Sequence, residues 1–229
     1  MVCRRWKAAS KDRSVNLKQA CLTFFCSVIS AWASQSPLYD ASQELLQHLT
    51  SSRYEHKVVI DESRGTYALD CSLFIGHLIK KVSPKAYSAL PIDAPHKRAR
   101  AKNFYDFFTS LKASSHPNWI PLFSMNSLEQ GDIIAWKYDP SLGKKDTGHV
   151  VMVYEKPIKE ADGRYKIVVL DSSKGTHAHD SRAQQKEGGI GTGTMWFSVD
   201  KDDKPIGLYW SDRSAKMSSH AIAMGRVLP

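Results

Sequence analysis

The chain has 229 residues, 42% of them hydrophobic and 24% charged, which is enough for one domain with a substantial core. Its 32 Lys and Arg exceed its 23 Asp and Glu, a net of +9, but six of those bases and one acid fall within the first 33 residues, leaving +4 on residues 34–229. So small a surplus gives no reason to expect a nucleic-acid partner and would suit an anionic polymer such as a cell wall.

The amino terminus reads as a leader. Arg4, Arg5, Lys7, Lys11, Arg13 and Lys18 precede an apolar run from Ala20 to Ile29, followed by Ala31-Trp32-Ala33-Ser34. This is the layout of a secretory signal, with cleavage expected near Ala33. The apolar run is about half of the roughly 20 residues that a membrane span needs, so no stable membrane anchor is expected. Neither Cys21 nor Cys26 follows a small-residue lipoprotein box, and the expected product is a soluble export, periplasmic or secreted. Val15 offers an alternative start for a more compact leader. The chain then divides into a signal peptide, 1–33, and a single domain, 34–229.

Cleavage near Ala33 would remove Cys3, Cys21 and Cys26 and leave Cys71 as a single thiol. In an oxidising compartment an unpaired cysteine is a liability unless it is used. The plainer alternative is a buried cysteine acting as a small hydrophobe.

Ser42 to Leu49 place Leu45, Leu46 and Leu49 at helical spacing. A stronger helix follows Asp70: Phe74, Ile75, Leu78, Ile79 and Val82 share one face, Lys80 and Lys81 occupy the last turn, and Pro84 ends it. Asp70 is a suitable cap. Cys71 therefore falls in the first turn, where free amides and the helix dipole favour an anion and are expected to lower the thiol pKa. A further helix is predicted over 97–111, with Phe104, Phe107, Phe108 and Leu111 on one face and the basic cluster Lys97 to Lys102 at its front. That cluster is either a solvated face or a contact for an acidic substrate. Trp119 either packs or lines a cleft.

From Leu128 onward the pattern turns to strands: Ile133 to Tyr138, His149 to Tyr154, Tyr165 to Leu170, Met195 to Val199, Ile206 to Trp210 and Ala221 to Val227. Helices first and antiparallel strands afterwards make the fold class α+β. The glycine-rich stretch Gly188-Gly189-Ile190-Gly191-Thr192-Gly193 lacks a phosphate-binding context and is expected to be a mobile loop, with a lid as the alternative. His177-Ala178-His179-Asp180 has no complementary cluster, so no metal and no cofactor are expected.

A thiol nucleophile needs a base, and the base needs a group to fix its tautomer. His149, opening an apolar strand, is the candidate base. Three segments, Leu69-Asp70-Cys71-Ser72, Gly131-Asp132-Ile133-Ile134-Ala135-Trp136 and Gly148-His149-Val150, resemble in that order the nucleophile, Gly-Asp and histidine blocks of the NlpC/P60 cysteine peptidases, a compact branch of the papain-like fold. The resemblance spans roughly residues 65–175. It implies a nucleophile helix packed on an antiparallel sheet or half-barrel, with Cys71 as nucleophile, His149 as base and Asp171 as orienter. An oxyanion donor would come from an amide at or beside Cys71. The resemblance also implies an amidase or peptidase that acts through a thioester on bacterial cell-wall peptides, so the expected partner is a peptide or peptidoglycan fragment, with the enzyme a monomer. Tyr67, Asp70 and Ser72 fall where it implies substrate contacts.

Strand parity agrees with the orienter. A hairpin pairing 149 with 171 centres near Glu160 and puts both side chains on one face. A tight turn at Asp162-Gly163 would instead place Thr176 opposite His149, but Pro157 interrupts the first strand and favours the looser loop. His177 is the alternative orienter. Leu73 departs from the glycine common after Asp-Cys-Ser in the family and would narrow the site. The other functional readings are a thiol-dependent acyltransferase and a binding module of the same fold without turnover.

Overall fold

In the computed structural model residues 36–112, 116–143, 146–182 and 187–228 are described. The leader reading falls on residues 1–33, which lie outside them, as do Cys3, Cys21 and Cys26.

Helix α1 (Pro37–His48) starts with proline at its first turn, where a missing N–H costs nothing. It is followed by a small sheet of β1 (Ser51–Arg53), β2 (Val59–Asp61) and β3 (Thr66–Ala68), in which β1 pairs parallel and β2 antiparallel with the central β3. Next comes α2 (Cys71–Val82). The Asp70 carboxylate accepts from the Leu73 amide at 2.9 Å, and the buried stripe Phe74, Ile75, Leu78 and Ile79 is the face that the apolar spacing marks. Pro84 does not end helical structure altogether, because a short α3 (Pro84–Ser88) follows.

Helix α4 (Ala101–Ser110) starts four residues later than the predicted front at Lys97. The basic residues ahead of it are drawn elsewhere: Arg98 reaches Asp70 and Ser72, and Arg100 remains extended with its amide donating to Asn103. These tertiary contacts outweigh the helix preference of Lys and Arg.

The large sheet is antiparallel and curled, a half-barrel, in the order β10-β9-β8-β6-β5-β11-β4, with β7 on the side of β8. Its strands are β4 (Trp119–Leu122), β5 (Ile133–Lys137), β6 (Gly148–Val153), β7 (Ile158–Lys159), β8 (Tyr165–Ser173), β9 (Gly189–Val199), β10 (Pro205–Tyr209) and β11 (Ala221–Val227). Alternation divides the side chains between two cores. Ala135, Val150, Met152 and Leu170 face the helices; Trp136, Val151, Val153, Ile167 and Val169 face the other way. Trp119 is buried and donates to the Ala86 carbonyl at 2.9 Å, which fastens β4 to α3.

Two sequence features change meaning here. Asp132, wholly buried, accepts from Arg226 Nε at 2.7 Å and Nη2 at 2.8 Å and from the Glu129 amide, so the Gly-Asp block clasps β5 to β11. The stretch expected as a mobile loop is instead the start of β9, paired with β8 from Gly189 to Phe197. Two of its glycines are there for space: a Cβ on Gly193 would come within 2.7 Å of His177 Cβ, and one on Gly191 within 2.5 Å of Arg182 Cγ, whereas Gly188 and Gly189 have positive φ, 67° and 130°.

Candidate active site

The sulfur of Cys71 lies at the first turn of α2, buried and unpaired. The helix terminus is expected to lower its pKa, but the opposite holds. Burial pushes the thiol well up, the Asp70 carboxylate adds to this, and the Val150 amide pulls only partly the other way. An anion removed from water and set beside a carboxylate loses more than the end of one helix returns. Leu73 N–H is taken by Asp70 Oδ1 and Phe74 N–H by the Asp70 carbonyl. The Cys71 and Ser72 amides are among the first N–H groups of the helix, which have no acceptor within it.

The Val150 amide reaches the sulfur where the sheet parts. β6 and β8 pair at Met152 with Leu170 and at Val153 with Val169, and beyond that point β8 pairs with β9 alone through Ser173. The amino end of α2 fills the opening, and Ser172 Oγ donates to the Leu69 carbonyl at 2.6 Å. Continuing the β6–β8 register sets Asp171 level with Val151, on the same face as His149 and one diagonal step from it. The hairpin centres at 161 by this register, one residue from the sequence-based centre.

On that face His149 Nε2 lies 2.6 Å from Asp171 Oδ2. The His149 ring is buried between Trp136 and Trp210, with centroids at 5.2 and 5.1 Å. Asp171 is fully buried and also meets His177 Nε2 at 3.1 Å and Arg182 Nη1 at 2.8 Å. Burial alone would raise its pKa, but the charges of His177 and Arg182 and the histidine hydrogen bonds hold the carboxyl well below its usual range. The carboxylate is therefore ionised and can only accept. That fixes the proton of His149 on Nε2 and leaves Nδ1 as the basic nitrogen. Among the hydrogen bonds of the described residues, none joins the Cys71 sulfur to the His149 ring. Cys71 and His149 approach the opening from opposite sides of the sheet.

A cleft of about 650 Å³ lies over Cys71, with Tyr54, His56, Asp70, Ser72, Arg98 and Asp146 on its walls. Asp70 and Ser72 are held from within: Arg98 donates to Asp70 Oδ2 at 2.5 Å and to Ser72 Oγ at 2.7 Å, and Ser72 Oγ donates to Asp70 Oδ1 at 2.9 Å. Tyr67 turns away. It is buried beside a separate small cavity with His48, Glu62, His77 and Lys81, and the tyrosines that line the Cys71 cleft are Tyr54 and Tyr87. Burial, then the sulfur of Cys71, push the Tyr54 hydroxyl up. His77, paired with Glu62, lies on the walls of both cavities, and His177 lies behind Asp171.

Neither a protein-family model nor the sequence of a curated protein matches the chain. A solved structure, the wild-type endolysin LysIME-EF1, aligns with a TM-score of 0.37 and 13% identity, over 78% of this chain and 67% of that one. A likeness of that degree is too slight to transfer fold or chemistry.

Sequence reasoning did not find His56, Arg98 or Asp146. His56 Nδ1 lies 3.1 Å from Asp70 Oδ2 and its Nε2 lies 3.3 Å from Asp146 Oδ1, so it spans the cleft between the segment after β1 and the approach to β6. No local pattern marks it. Arg98 stood inside the basic cluster, but nothing there distinguished it from Lys97. Among the described residues no group of three or more His, Cys, Asp or Glu could hold a metal ion, and no helix is long and apolar enough to cross a membrane.

Proposed function

We propose that the chain is an exported cysteine hydrolase of the NlpC/P60 type, which cleaves an amide of a bacterial cell-wall peptide through a thioester on Cys71. The observation that carries this reading is the 2.6 Å pairing of His149 with a buried, ionised Asp171, at the opening in the sheet where the Cys71 sulfur meets the Val150 amide. The substrate class comes from the resemblance of the Asp-Cys-Ser, Gly-Asp and Gly-His blocks to that family.

Cys71 rests as a neutral thiol, so its proton leaves as the bond forms. His149 Nδ1 takes it while the sulfur attacks the amide carbonyl. The oxyanion is met by the free amides of Cys71 and Ser72. His149 then returns the proton to the departing amine, leaving a thioester. Water, deprotonated by His149, releases the acid and restores the thiol. Closing the gap between sulfur and ring when substrate fills the cleft is part of the proposal.

The test is incubation of the purified domain with peptidoglycan and mass analysis of the released peptides. Cys71→Ala and His149→Ala should each release almost nothing; undiminished release by Cys71→Ala would refute the reading. The raised thiol and the absent sulfur–imidazole hydrogen bond favour one competing reading, a module that binds this polymer without cutting it. Retention on peptidoglycan without released peptides would select it. Export belongs to the same proposal and is checked by sequencing the amino terminus of the exported chain, which should begin near Ser34.

A further inference from the structure

Behind the His149–Asp171 pair lies a second histidine that the mechanism above does not use. The side chain of His177 is wholly shielded from solvent. Its Nε2 is 3.1 Å from Asp171 Oδ2, and its Nδ1 is 3.1 Å from the Trp210 carbonyl oxygen. A carbonyl and an ionised carboxylate can only accept, and a neutral imidazole has one N–H to give. With a single proton, one of the two contacts would set lone pair against lone pair. We propose that His177 keeps both ring protons and acts as a positioning residue, a fixed cation that balances Asp171 so that the carboxylate orients His149 without charging it. This rests on the reading of Cys71, His149 and Asp171 as a triad.

The surroundings fit a buried cation. The Trp210 ring lies against His177 with centroids 4.2 Å apart, a contact that favours positive charge. From β8 it meets Asp171, and across that carboxylate His149 of β6. On its own segment Asp180 accepts from the His177 amide at 2.7 Å and is paired with Arg182. From β9 the facing position is Gly193, which carries no side chain and leaves the room the ring occupies. Arg182, 1% exposed in its side chain, gives Nη1 to Asp171 Oδ1, Ser173 Oγ and the Gly189 carbonyl, and gives Nε and Nη2 to Asp180. Two carboxylates then stand against a guanidinium and an imidazolium, a buried set that is neutral without His149. Unpaired charges at this depth would be costly, whereas a balanced and fully bonded set is tolerated.

The consequence concerns the base. If Asp171 faced His149 alone, its negative charge would favour an imidazolium that holds its proton. Shared with two cations, it keeps the hydrogen bond that sets the tautomer and exerts less pull on the proton, so His149 Nδ1 stays free to accept one from Cys71.

The test is two-bond proton–nitrogen NMR on the full domain. His177 should show both ring nitrogens protonated from about pH 6 to about pH 9, whereas an ordinary histidine sheds its second proton near about 6.5. A single ring proton on His177 at about pH 8 overturns the proposal, and this reading needs no variant to fold. In His177→Gln the His149 titration should move up by about one pH unit, tenfold in proton affinity. A purely structural role would leave that midpoint where it is, and an unmoved midpoint overturns the positioning role. Turnover of peptidoglycan by His149→Ala would remove the triad, and the positioning role with it, whatever charge His177 carries.

Discussion

Asp171 ties the candidate site to the stability of the domain. Its carboxyl is held well below the usual range, so near about pH 4 the unfolded chain binds a proton there that the folded chain does not. The resulting stabilisation is complete above the ordinary Asp value of about 3.9 and is lost as pH falls from there toward the depressed folded value. Asp171→Asn should cost about 3 kcal/mol at neutral pH, because Arg182 and both histidines lose an anionic acceptor. It should also flatten the fall in denaturation midpoint below about pH 4. Parallel acid limbs for the two proteins would show that this carboxylate does not govern acid stability. Under the proposed mechanism, Asp171→Ala should lose about a hundredfold in kcat, less than Cys71→Ala or His149→Ala, since there it would orient the base and exchange no proton with substrate.

Two elements owe their form to single side chains. In α2 the Asp70 carboxylate caps the helix and also holds Ser72, His56 and Arg98. Asp70→Ala should therefore exceed the loss of about 1 kcal/mol usual for a helix cap, and the part of the excess that belongs to Arg98 should disappear when Arg98 is already absent, as a double-mutant cycle by denaturant unfolding can measure. In β9 Gly191 and Gly193 are set by neighbours and not by backbone conformation. Gly193→Ala should cost about 1–3 kcal/mol by overpacking against His177, although alanine normally suits a strand no worse than glycine. A neutral or stabilising result by thermal unfolding would mean that the ring gives way.

At the scale of the whole molecule, helices α1, α2 and α4 and the later strands were legible from apolar spacing, but the expected order of helices first does not hold, because three short strands come between α1 and α2. α2 and most strands of the large sheet follow it closely, because burial of one face selects residues at a fixed period. The strands β1 to β4 were not legible. Three of them are three residues long and form a sheet through partners up to 15 residues apart, so too few residues repeat to show a period. The Asp132–Arg226 clasp joins positions 94 residues apart, and no local pattern announces it. Arg226→Ala should cost about 3 kcal/mol by leaving the buried Asp132 carboxylate with one amide, measured against Arg226→Lys, which should recover part of that loss.

The candidate site divides in the same way. Spacing and residue chemistry put Cys71 at the start of a capped helix, since a cap residue is written locally; Asp171 as the partner of His149 came from the resemblance, and their shared face stayed open between two hairpin registers until the β6–β8 pairing decided it. Whether the thiol is ionised was not written there: the helix end argues one way, and burial beside Asp70, which only packing creates, argues the other. His56 and Arg98 entered the cleft, Tyr67 left it, and His177 came to share Asp171, because those positions depend on which chain segments the fold brings together across distances that sequence periodicity does not encode.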